Sequence, residues 1–197
     1  MATDAAHPDR AWRIRAAAPA DAAELGRLHV QCWQETYRGI VPQALLARFS
    51  LERSRTVWGR ILGDPDAYHA TRVFLAEQAG VLVGFGACGA QRTAELAAKA
   101  YDGEISAIYL VRAAHRQGIG RALLDALAAD LLERDFKALG LWVLRENAAA
   151  RRFYEHLGGA AVDEKRDIRE QTVLHETAYG WPSLTDLRKR LRPARDA

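Results

Sequence analysis

Cysteine, methionine and long apolar runs are what this chain has least of: two cysteines, one methionine and no extended hydrophobic stretch in 197 residues. Cys32 and Cys88 lack the paired spacing of a metal site or a disulfide framework. No apolar run approaches the ~20 residues that a membrane-spanning helix requires. Met1 to Arg10 is polar and has no secretory hydrophobic region, so residues 1–10 read as a disordered leader. These absences point to a reduced, cytoplasmic setting without a membrane partner. His29, His69, His115, His156 and His175 show no ligand pairing at helical spacing, and no metal is expected. Charge of one sign is scarce too, with a net of +3. The basic residues of the tail, 183–197, come without aromatic interleaving, so they read as a solvated helix face and nucleic acid is not an expected partner.

What is present suits one α/β domain: 49% hydrophobic and 27% charged residues, with no internal repeat. Trp12 and Ile14 alternate with arginines as a half-buried strand does. Asp21 and Glu24 open a helix whose stripe is Leu25, Leu28, Cys32 and Trp33. A short helix from about Pro42 to Phe49 follows, then one capped by Ser50 with Val57, Trp58, Ile61 and Leu62 facing inward. Val73 to Ala76 and Val81 to Ala87 read as a hairpin about Gly80. Residues 90–103 are polar and alanine-rich and read as a mobile loop with one helical turn. Glu104 to Val111, Leu141 to Leu144, Ala160 to Val162 and Thr172 to Tyr179 read as further strands. Gly84 to Gly89 fits the spacing of a dinucleotide fingerprint, but Val81, Val83, Phe85 and Ala87 alternate straight through it, as a strand would.

The most informative stretch is Arg112-Ala-Ala-His115-Arg116-Gln117-Gly118-Ile119-Gly120-Arg121. It joins the Glu104 strand to a helix from about Ile119 to Glu133, on which Ile119, Leu123, Leu127 and Leu131 recur every fourth residue. Two glycines at a strand-to-helix turn let the backbone approach a ligand and leave the first helical N–H groups facing out. An anion suits such a turn, and Arg112, Arg116 and Arg121 strengthen the positive field. Downstream, Asn147 and Ala150 precede Phe153-Tyr154-Glu155-His156-Leu157-Gly158. On that helix Phe153 and Leu157 share one face, and Tyr154 is turned by about 100° from them.

The glycine turn resembles the signature with which the GNAT superfamily of N-acetyltransferases grips the pyrophosphate of acetyl-coenzyme A, with His115 standing where that family usually has Gln or Arg. The second stretch resembles the run that carries the family's thiolate-protonating tyrosine. Both lie in the family's order, within a resemblance spanning roughly Arg13 to Trp181. It implies a mixed, mostly antiparallel sheet flanked by helices, in a domain of residues 11–182. His115, Arg116, Gln117, Gly118, Ile119 and Gly120 would cradle the pyrophosphate, and Arg121 and Asn147 would also bind the cofactor. Ile108, Tyr109 and Leu110 would offer main-chain groups to the cofactor's amide arm from a bulged strand. Tyr154 would be the general acid and Glu104 the general base. Trp33, Tyr37 and the 90–103 loop would border the acceptor. The implied reaction is direct attack by a primary amine, on a small molecule or a peptide, in a ternary complex. A non-catalytic acyl-coenzyme A sensor is the alternative, and the family is often dimeric.

Overall fold

The computed structural model describes residues 11–169 and 172–192. Seven strands form one sheet in the order β1-β2-β3-β4-β5-β7-β6. They are β1 (Trp12–Ala16), β2 (Arg72–Gln78), β3 (Val81–Ala90), β4 (Gly103–Leu110), β5 (Leu139–Leu144), β6 (Ala160–Arg169) and β7 (Thr172–Trp181). Every pairing is antiparallel except β4 with β5. That one is parallel because a helix, Ile119–Glu133, carries the chain between the two strands. The expected mixed sheet flanked by helices is what the chain forms.

Seven α-helices flank the sheet among the described residues: α1 (Ala22–Tyr37), α2 (Gln43–Ala47), α3 (Leu51–Gly63), α4 (Ala94–Ala97), α5 (Ile119–Glu133), α6 (Ala148–His156) and α7 (Leu184–Leu191). On α5 the fourfold stripe Ile119, Leu123, Leu127 and Leu131 is at most 1% exposed. It packs on one face of the sheet beside α6 and α7, against Leu139, Leu141, Tyr179 and Trp181. The helices α1 and α3 cover the other face over Leu75, Phe85 and Ala87. Ser50 caps α3 by accepting from Arg53 N at 3.2 Å, as its position predicts.

Four expectations change. Val57 is 41% exposed, because Trp58 and Leu62 already fill the buried stripe of α3. Residues 90–103 are anchored, with Leu96 wholly buried beside Tyr101 and Ala138. One leucine on a single helical turn leaves too little periodicity to be seen in sequence. The β6 strand runs seven residues past Val162, to Arg169, because its ladder with β7 continues through charged residues. The expected basic helix forms as α7, with Ser183 accepting from Asp186 N at 3.1 Å, but it is part of the core: Leu184, Leu187 and Leu191 are buried, and only its basic face looks outward. The leader, 1–10, and residues 193–197 of the basic tail lie outside the described residues. The β3 strand does continue through Gly84, Gly86 and Gly89, and the dinucleotide match dissolves into a strand.

Candidate active site

The site begins where β4 and β5 part. They pair only at Gly103 with Leu139 and Glu104 with Gly140. Both glycines sit where a Cβ would crowd its neighbours: 3.1 Å from Ala138 O at Gly103 and 2.9 Å from Leu96 Cδ1 at Gly140. A bulge on β4 follows at once, since Ala87 faces Ala107 while Cys88 faces Ile105. Ser106 is the extra residue, and its main-chain groups fall outside the β3 ladder. Beyond the bulge β4 pairs with β3 alone, and β5 with β7 alone. Two strand edges therefore face each other unpaired, from Ile105 to Leu110 on one side and Leu141 to Leu144 on the other.

A cleft of about 1260 Å³ occupies this gap. Of the residues singled out from the sequence, Tyr37, Ile108, Tyr109, Leu110, His115, Arg116, Gly118, Gly120, Arg121, Asn147 and Tyr154 line it. At one end stands the glycine turn. Gly118 caps α5 with φ +80°, in the left-handed region that favours glycine, and Arg116 before it is also left-handed at φ +63°. No such φ constrains Gly120, and a Cβ there would meet Leu110 and Phe153 at an ordinary 3.5 Å. Folding alone therefore does not demand a glycine at 120.

The turn is braced from behind. Trp12 Nε1 donates to Gln117 O at 3.2 Å, and the Gln117 side chain donates to Ala113 O at 3.0 Å. Gln117 thus faces away from the cleft, Ile119 is 1% exposed beneath it, and neither lines the cleft. The Arg121 guanidinium donates to Leu191 O at 2.8 Å and to Arg190 O, which ties the turn to the end of α7. Glu35, which sequence reasoning missed, accepts from Arg112 N at 2.6 Å and from Gln31 at 2.9 Å. Burial raises the Glu35 carboxyl, but Gln31, Arg112 and His115 outweigh that and leave it below its usual value. Its charge therefore persists, and no short-range periodicity could have revealed a partner 77 residues away.

At the other end Asn147 caps α6, its Oδ1 accepting from Ala150 N at 3.2 Å. Tyr154 is 5% exposed and packs edge-on against Phe153 and Trp181 at 5.5 and 6.0 Å. Burial pushes its phenol well above the ordinary value, so it stays protonated at neutral pH. The Tyr37 and Tyr109 hydroxyls meet at 3.2 Å, and burial raises both of them as well. Trp33 stands behind Tyr37 at 4.3 Å, stacked on Phe49 at 4.8 Å, and does not reach the cleft.

Glu104 lies on the opposite side of the gap, in a second cavity of about 340 Å³ that shares Ile105, Ser106 and Trp142 with the cleft. Its carboxylate accepts from Arg92 Nη2 at 2.6 Å and from Arg92 Nε and N at 3.0 Å each. A carboxylate offers about four acceptor positions, so about one remains for a water. Among the described residues no group of His, Cys, Asp or Glu side chains could hold a metal ion, and no helix is long and apolar enough to cross a membrane.

Comparison with known proteins converges on one family. Residues 29–159 match the family described as the acetyltransferase (GNAT) family. The uncharacterized N-acetyltransferase YuaI of Bacillus subtilis is 31% identical over 176 residues, covering 89% of this chain and 95% of that protein. Among solved structures, the PaiA N-acetyltransferase of Thermoplasma acidophilum in complex with coenzyme A superimposes with a TM-score of 0.67 at 18% identity, covering 84% of this chain and 97% of that one. YncA of Salmonella typhimurium, solved with its cofactor acetyl-CoA, gives 0.65 at 20% identity, with 95% and 99% covered.

Proposed function

The chain belongs to the GNAT family of acetyltransferases, and from that premise we propose that it transfers acetyl to a primary amine by direct attack within a ternary complex. It is an acetyl-coenzyme A-dependent N-acetyltransferase. The observation that carries the proposal is the parted β4–β5 pair, with the glycine turn that opens α5 at one end of the gap and a protonated, buried tyrosine at the other.

The residues fit an extended acyl-coenzyme A. The turn from His115 to Arg121 takes the diphosphate on the first N–H groups of α5, with Arg116 adding charge. Ile108, Tyr109 and Leu110 offer the free β4 edge to the amide arm, as an added strand would be held. Acetyl-coenzyme A supplies the activated thioester. The acceptor enters from the Glu104 side, and Glu104 takes the ammonium proton through one water. The freed lone pair then attacks the thioester carbon, the C–S bond breaks, the sulfur takes the Tyr154 proton, and the proton shed by the new amide nitrogen restores the phenol, which burial keeps protonated.

Calorimetry of the wild type with acetyl-coenzyme A, followed by turnover with an amine panel, tests this reading. Absence of cofactor binding refutes it. Binding without turnover of any amine leaves a sensor instead of an enzyme.

A further inference from the structure

We infer that the acceptor is a small amphoteric amine, bearing a carboxylate or similar anionic group a few bonds from the nitrogen it offers. The inference rests on the acetyltransferase reading and concerns the cavity of about 340 Å³, at the low end of ligand-pocket size.

Strand alternation decides which side chains share its face. Glu176 of β7 lies opposite Leu144 of β5 and Lys165 of β6. Lys165, Asp167 and Arg169 therefore stand on the same face as Glu176 and Trp142, and Arg166 alternates to the other face. With Arg92 and Glu104 they set three ion pairs about one cavity: Arg92–Glu104 at 2.6 Å, Lys165–Glu176 at 3.3 Å and Arg169–Asp167 at 2.7 Å. The Lys165 ammonium also lies 4.1 Å over the Trp142 ring. These six paired charges sum to zero, three cations against three carboxylates; Arg166 also lines the cavity, its side chain alternating to the other face of the strand.

That balance selects among amines. A polyamine brings several positive charges with no anion of its own, and here three cations already offset the three carboxylates, so its charge would stay unmatched. A purely apolar amine would bury ion pairs without replacing their water. A ligand carrying both signs can lie across the pairs and keep the cavity neutral. Arg169 suits the anionic end, because its pair with Asp167 is 46% and 32% exposed and such pairs are weak. It can turn to a ligand at little cost. Glu176, at 14% exposure, suits the ammonium end. It neighbours Trp142, the wall shared with the main cleft, so an amine held there faces the gap where the thioester would lie.

The test compares small to aromatic α-amino acids with their carboxamides and their decarboxylated amines. Binding to the coenzyme A-loaded protein is read by calorimetry, and kcat/KM is read with acetyl-coenzyme A. The carboxylate forms should lead by about tenfold or more, the scale of one charge-assisted hydrogen bond. Arg169→Gln should collapse that ratio toward one by raising KM for the carboxylate forms. Equal binding of the carboxamides, binding of none of the carboxylate forms, or a ratio untouched by Arg169→Gln overturns the proposal. Acetylation of the carboxamides and decarboxylated amines alone would overturn it and leave the acetyltransferase reading standing, whereas binding of the carboxylate forms without any acetylation would refute that reading and with it the acceptor role.

Discussion

Tyr154→Phe removes one hydroxyl and should remove little else. The ring keeps its contacts with Phe153, Tyr179 and Trp181, at centroid distances of 5.5, 5.8 and 6.0 Å. Stability should therefore change by less than about 1 kcal/mol, the worth of one neutral hydrogen bond, and acetyl-coenzyme A affinity hardly at all. Turnover is another matter. A positioned general acid contributes roughly 10²- to 10⁴-fold, about 2.7 kcal/mol of barrier at the low end. Burial keeps the folded phenol protonated beyond the ordinary tyrosine range, so the wild-type donor is intact across neutral and mildly alkaline pH. The deficit of the variant should accordingly be flat from about pH 6 to 9. The assay is steady-state release of the coenzyme A thiol with a saturating amine, repeated with an acyl thioester whose leaving thiol is more acidic. A more acidic thiol needs less protonation, so part of the lost rate should return. Unchanged kcat with chemistry shown to be rate-limiting would refute the acid role. A loss that the better leaving group does not repair would refute it too, and point to misplacement of the thioester.

Glu104→Gln should lower kcat/KM by ~10²-fold near neutral pH and by less as rising pH supplies free amine; an equal loss at every pH would make Glu104 a charge-positioning group. Gly120→Glu should leave the chain folded, since a Cβ there meets nothing nearer than 3.5 Å, and should abolish acetyl-coenzyme A binding by calorimetry. Leu187→Ala, at 1% exposure on α7, should cost about 2–5 kcal/mol in urea unfolding; a negligible loss would return α7 to the status of a tail. His29 is held to about 4 by burial, below its usual 6.5, so the unfolded chain binds more protons between those values. Stability should be complete above pH 6.5 and fall by up to about 3 kcal/mol as pH drops toward 4. His29→Gln should flatten that acid limb in urea midpoints measured at several pH values.

Local periodicity and turn chemistry were legible in the chain itself. The α5 stripe, the Ser50 and Asn147 caps, the left-handed Gly118 and the strand through Gly84 to Gly89 each depend on residues within a few positions of one another. The anion-binding turn and the Phe153–Tyr154 helix belong to that class, which is why both ends of the cleft could be named from sequence. What joins them is non-local. The gap between β4 and β5 exists because pairing stops after Glu104 and Gly140, and the Ser106 bulge is a mismatch with β3, a strand elsewhere in the chain. No pattern within β4 records either event. The same holds for Arg92 on Glu104 and for Glu35 beneath Arg112, pairs separated by 12 and 77 residues. The second cavity is the extreme case. Only the β5–β7–β6 register turns every second charge of β6 to the face of Trp142. Sequence determines which segments twist, cap and bind an anion, because those depend on neighbours along the chain. Tertiary structure alone decides which strands fail to pair and which distant charges face each other, because those depend on neighbours in space.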